Sequence, residues 1–265
     1  MQQYSPDHNN SYTVILSASI RPHPSLRAFA RADIRQRLED YKNGLKFWLS
    51  LPDGRIGQLI FVENTGHDLS ELQNLAESTN QFGRNIEFIS LDCTDIPKGL
   101  HYGYAEFGLI DEGLRTSRLY PHTTAVIKAT GRYTFPQLSR LLDRLPSSVK
   151  VAVDARRNQF LMPKPYRFVT AALILASREG FETFVRRAYL DMAPPPADWC
   201  GFIEDVLYNR LIDHRNDPRI ILRWPVNCDP VGFGRKGNTP LMSPRRRALS
   251  AARGVLRVVA PRWWV

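Results

Sequence analysis

The chain has 265 residues, 43% hydrophobic and 23% charged, enough to bury a sizeable core in one large domain or two small ones. A formal net charge of +10 and a pI of about 9.8 call for an anionic partner, whether nucleic acid, a phosphate-bearing substrate or an acidic membrane face. Cys93, Cys200 and Cys228 are odd in number and far apart, which excludes a disulfide framework and a CxxC zinc pair; the polar start MQQYSPDHNNSY does not read as a signal peptide, and the longest apolar run, FVTAALILA, is too short to cross a bilayer, so a cytoplasmic location is expected.

Residues 1–11 read as a flexible N-terminal tail. YTVILSAS (12–19) is β-branched and mostly apolar, the composition of a buried strand. After the Pro-broken RPHPS, the residues Leu26, Phe29, Ile34, Leu38, Tyr41 and Leu45 share one helical face. IGQLIFVEN (56–64) predicts a second strand, and Asp68 with Glu71 predicts a helix start resembling a capping box. NIEFISLD (85–92) is a third strand, followed by a helix carrying Tyr104, Phe107, Ile110 and Leu114. AVIKAT (125–130) is a fourth strand, and Leu138, Leu141, Leu142 and Leu145 mark a short helix. Further on, KVAVDARRN (150–158) and RFVTAALILAS (167–177) read as strands and REGFETFVRRAYL (178–190) as a helix. CGFIEDVLYNRLIDH (200–214) reads as a helix with Phe202, Val206 and Leu211 inward, and RIILRWPV (219–226) as a closing strand. Strands and helices alternating in this way predict an α/β fold, a mostly parallel sheet with helices on both faces.

In such a sheet, ligands sit beyond the carboxyl ends of the strands. The first exit holds Ser17, Ser19 and Arg21, the second Glu63, Asn64 and Thr65, and the third Asp92, Thr94, Asp95 and Lys98. The fourth holds Lys128, Thr130, Gly131, Arg132 and Tyr133. Each residue taken singly fits a solvated loop, whereas four polar exits in register suggest a binding rim.

The order of these pieces resembles the GT-A class of nucleotide-sugar glycosyltransferases. LSASIRP and FVENTGHDLSEL match the elements that hold the nucleotide base in that class. KGLHYGYAEFGLIDEGL (98–114) matches the helix start that approaches the donor, with Gly103 where backbone must come close. GFIEDVLYNRL (201–211) matches the acidic helix that faces the acceptor, giving Glu204 and Asp205. The chain is also similar to bacterial enzymes of capsule and lipopolysaccharide O-chain synthesis with a KxTGRY stretch. The resemblance implies a GT-A-like, Rossmann-type domain over 12–240 that moves a sugar from a nucleotide-diphosphate donor, UDP favoured, to a glycan or lipid-linked acceptor.

Where that class carries a metal-binding DxD, this chain has KATGRY. Lys128 and Arg132 are expected to stabilise the leaving diphosphate in place of a metal, with main-chain N–H groups near Gly131 assisting. Their alternative is two surface charges at a strand end. No metal or other cofactor is expected, although a joint site of Asp92, Asp95 and Asp154 stays open. Inverting transfer needs a carboxylate base, and the resemblance favours Asp205, with Glu204 holding the acceptor or a donor at a strand exit. Both acids also suit a helix N-terminus with no further role. Asp154 could contact the donor sugar or pair with Arg156 or Arg157. GFGRKG (232–237) lacks the strand-to-helix setting of a dinucleotide fingerprint. It reads as a glycine loop whose Arg235 and Lys236 fold over the pyrophosphate, or as a plain mobile loop.

The tail, 241–265, alternates Arg245, Arg246, Arg247, Arg253 and Arg257 with apolar residues and ends near Trp263 and Trp264. This pattern fits a basic amphipathic helix on the inner face of the cytoplasmic membrane, a partner-binding helix, or a cap on the domain. Two other functions compete with the transferase: a silent scaffold of an envelope-polysaccharide complex, and a nucleic-acid-binding protein. The basic residues are dispersed and form no known nucleic-acid motif, so no nucleic acid is expected.

Overall fold

The computed structural model describes residues 11–21, 31–93, 96–157, 167–194, 201–234 and 240–260. Strands β1 (Tyr12–Ala18), β2 (Ile56–Glu63), β3 (Asn85–Ser90) and β4 (Ala125–Thr130) form the parallel part of the sheet. Between them run helices α1 (Ile34–Ser50), α2 (Ser70–Thr79) and α3 (Gly103–Thr116). The short α4 (Leu138–Leu142) leads to β5 (Val151–Ala152), then to β6 (Ala155–Arg157) and β7 (Arg167–Val169), which pair apart from the main sheet. β8 (Leu173–Ser177) follows, then α5 (Arg178–Gly180), α6 (Ile203–Ile212), β9 (Ile220–Ile221) and α7 (Pro244–Val259).

The seven-stranded sheet runs β3-β2-β1-β4-β8-β5-β9, with β8 antiparallel to both of its neighbours. This is a mostly parallel α/β sheet with helices on both faces and a C-terminal helix. Its strands are apolar on both sides because both sides are covered. Val14, Leu16 and Ala18 join one core with Leu45 and Trp48 of α1, whereas Ile15 joins the other with Ile110 of α3 and Leu207 of α6.

Four sequence expectations are corrected. KVAVDARRN is not one strand: the chain leaves the sheet at Asp154, a buried carboxylate paired with Arg156 and Arg257, and continues as β6. RFVTAALILAS likewise breaks between β7 and β8, where Thr170 N–H donates to the Asp154 carbonyl. The helix expected over 178–190 holds α-geometry only to Gly180. It then widens into a π-turn at Phe181–Val185 and ends at Arg187, whose φ of 58° is left-handed. The closing strand shrinks to two residues because β5, its partner, offers only two.

Candidate active site at the exits of β1 and β4

Register alone places three polar side chains together. Ile15 lies opposite Lys128, and Ser17 lies opposite Thr130. Side chains alternate along a strand, and Leu16, Ile127 and Ala129 face the α1 side. Ser17, Lys128 and Thr130 therefore face α3. There, in the first turn of that helix, stands Glu106. Its Oε1 accepts hydrogen bonds from Ser17 Oγ at 2.7 Å, Lys128 Nζ at 2.7 Å and Thr130 Oγ1 at 3.2 Å. Lys128 Nζ also donates to the Ala171 carbonyl at 2.6 Å and lies 4.9 Å from the centre of the Phe107 ring. Burial works to raise the Glu106 carboxyl, but the Lys128 charge and these hydrogen bonds outweigh it and hold the group below the usual carboxylate range.

The start of α6 is brought against this floor by a glycine. A Cβ on Gly103 would lie 2.6 Å from Ile203 Cγ2, so only glycine lets the first turns of α3 and α6 meet this closely. Glu204 in the first turn of α6 thereby comes within electrostatic range of Glu106 and Lys128. Glu204 Oε2 is shut off from solvent and has no hydrogen-bond partner among the described residues. Burial pushes its carboxyl up to about 7; its own backbone N–H and Lys128 oppose the rise, while Glu106 and Asp205 add to it. Asp205 lies deeper in the protein, at 6% exposure. Phe202, expected inward, is instead exposed, with its ring 4.5 Å from that of His101; the two form an aromatic lip beside Glu204.

KATGRY differs from its expected form. Lys128 has 0% exposure and is already neutralised by Glu106, so it is the floor of the site rather than a grip on phosphate. The Gly131 N–H is used as well, donating to the Ser17 carbonyl at 2.9 Å. That glycine serves packing: its carbonyl oxygen sits 2.0 Å from where a Cβ on Gly44 of α1 would be. Arg132 is half-buried and donates to the Phe233 carbonyl at 3.0 Å and to Tyr133 Oη at 2.9 Å. It thus ties the 231–234 loop over the exit of β4, where Gly232, at a φ of 146°, lets that loop approach the Tyr133 ring. Burial raises the Tyr133 phenol.

At the first two exits, most of the expected ligands organise the backbone. Glu63 is fully buried and accepts from Ile20 N–H, Thr65 N–H and Oγ1, and His67 N–H, which binds the loop after β2 to the end of β1. Ser19 donates its N–H to Tyr41 Oη at 2.8 Å, and its carbonyl accepts from the Arg37 guanidinium of α1. Asn64 is buried, and its Oδ1 has no hydrogen-bond partner among the described residues. Arg21 and Lys98 stand exposed on loops. Asp154, expected to contact the donor sugar or to pair with Arg156 or Arg157, has its two oxygens held by Arg156 and Arg257 instead. Arg235 and Lys236 lie outside the described residues.

Glu106 was absent from the expected site, yet its signal was present. Three polar residues of one strand parity facing one helix demand a carboxylate there, and Glu106 is the acid of that helix's first turn.

No family model and no curated protein matches this chain. Among solved structures it is similar to 4-diphosphocytidyl-2C-methyl-D-erythritol synthase from Anaerococcus prevotii DSM 20548. That likeness has 11% identity and a TM-score of 0.44, over 94% of this chain and 99% of that one. A second is to the bifunctional glycosyltransferase WbbM, at 14% identity and a TM-score of 0.43, over 78% of this chain and 38% of that one. A third is to HddC from Yersinia pseudotuberculosis, at 10% identity and a TM-score of 0.32. Likenesses this distant carry no weight for function.

Proposed function

We propose that the chain is a nucleotide-sugar glycosyltransferase working by inversion, with Glu204 as its base. The observation that carries this is a carboxyl held near 7, beside the Glu106–Lys128 pair, at the strand exits of an open α/β sheet. Glu204 takes the proton of an acceptor hydroxyl; that oxygen forms the new bond to the anomeric carbon. The bond to the diphosphate oxygen breaks, and its electron pair leaves with the diphosphate. Glu204 replaces Asp205 in this role, and Asp205 positions the first turn of α6.

The donor is a nucleotide-diphosphate sugar, with UDP favoured. The unpaired Asn64 Oδ1 supports a base beside the exit of β2, since a buried acceptor without a partner marks a place that a ligand can complete. Arg132 supplies positive charge for the leaving diphosphate without a divalent metal. The acceptor is a glycan or a lipid-linked glycan of bacterial surface polysaccharide, with Phe202 and His101 as its platform. Release of UDP from a panel of UDP-sugars, followed across pH, tests the assignment. A base must be ionised, so the rate falls tenfold per unit below about 7 and levels off above it. Glu204→Gln is expected to lower the plateau by roughly 10²–10⁴-fold and to abolish the acid limb. Turnover and an acid limb unchanged in Glu204→Gln would overturn the proposal.

A further inference from the structure

Helix α7 lies on the domain with its polar side down. Arg257 donates to Asp154 Oδ1 at 2.6 Å, the Trp224 carbonyl at 2.5 Å and Asn227 Oδ1 at 2.5 Å. One turn and three residues earlier, Ser250 Oγ donates to Asp229 Oδ2 at 2.6 Å, and its carbonyl accepts from Asn227 Nδ2 at 2.5 Å. Gly254, between them on the same face, lies beside Asn227, where an added Cβ would be in ordinary contact at 3.5 Å. The opposite face is apolar and open: Val255 is 60% exposed and Val259 69%. An amphipathic helix on a water-soluble surface normally points the other way, and an uncovered apolar stripe of this kind marks an interaction surface.

We infer that α7 lays this face into an anionic lipid bilayer surface, an inference independent of the donor site. The charge around the stripe selects that occupant. Residues 230–265 include no Asp or Glu, so α7 carries its arginines with no acid of its own to offset them. Arg245, Arg246 and Arg247 are exposed in the first turn of α7, and Arg245, two heptads before Val259, continues the line of the apolar stripe, where anionic headgroups would meet it. A second copy of the chain fits poorly, since two acid-free helices would face arginine with arginine and each molecule carries +10. No helix among the described residues is long and apolar enough to cross the membrane, so the contact is one of lying on the surface.

Co-sedimentation with vesicles of phosphatidylcholine alone, and of phosphatidylcholine with phosphatidylglycerol, tests the inference. The full chain is expected to bind the phosphatidylglycerol vesicles at least about tenfold more tightly, and to lose that binding at high salt. Val255→Asp/Val259→Asp and Arg245→Glu/Arg246→Glu are each expected to lower the affinity by about tenfold or more. All four positions are exposed, and thermal melts matching the parent confirm that the variants fold. Equal binding by the variants, no binding by the parent, or equal affinity for both vesicles would overturn it. So would a parent dimer in analytical ultracentrifugation that Val255→Asp/Val259→Asp turns into monomer while vesicle binding persists.

Discussion

Lys128 and Glu106 are stable only as a pair. Removing the lysine leaves a carboxylate inside the protein with its nearest counter-charge gone, a loss that typically costs about 3–5 kcal/mol. Lys128→Ala is therefore expected to lower the urea midpoint strongly, and Lys128→Met with Glu106→Gln to recover most of the loss. If Lys128→Ala unfolds like the parent and only weakens nucleotide binding, Lys128 is a phosphate ligand and not the floor of the site. The sequence makes the lysine conspicuous but does not tell which way it points. Strand parity does, once β1 and β4 are known to be neighbours, because Lys128 must then share a face with Ser17 and Thr130. Glu204 is harder to read. A glutamate in a first helical turn is ordinary, and only the close approach of α3 to α6 buries it enough to hold its proton near neutrality.

At the scale of elements, contact between backbones sets the shape of the crevice. A Cβ on Gly44 would stand 2.0 Å from the Gly131 carbonyl oxygen, and backbone cannot swing aside as a side chain can. Gly44→Ala is expected to cost about 1–3 kcal/mol in a denaturant melt, despite the better helix propensity of alanine. Gly108→Ala is the contrasting case: its nearest neighbour, the Tyr189 ring, would be 3.6 Å away, so this change is expected to be neutral or slightly stabilising. Matching losses in the two variants would contradict the packing described here. β1 to β4 and α3 were legible in the sequence because each is long and continuously apolar or strongly periodic. The stretch from 150 to 177 was not, because apolar runs there bend out of the sheet around a single buried carboxylate, Asp154, whose partner Arg257 comes from about a hundred residues further along the chain.

Across the whole molecule, charge and apolar surface are divided between two places. The β1 and β4 exits gather carboxylates and one buried ammonium into a single cluster, the site proposed for proton transfer, whereas α7 gathers arginines and exposed valines on another surface. A net charge of +10 points to an anionic partner, but it does not tell that the conspicuous cation of KATGRY is buried and paired with Glu106. That fact depends on the sheet order. The central claim is that the crevice binds a nucleotide diphosphate and that Glu204 acts on the acceptor rather than on the donor. The measurement that tests it most directly is a calorimetric titration with nucleoside diphosphates in EDTA, on the parent, Glu204→Gln and Arg132→Ala. The account predicts binding in EDTA, tightest for UDP, with affinity kept in Glu204→Gln and reduced about tenfold in Arg132→Ala, the loss expected of one charge-assisted contact. Absence of binding in EDTA and in Mn²⁺ alike would contradict the donor site, and binding only in Mn²⁺ would contradict its independence of metal.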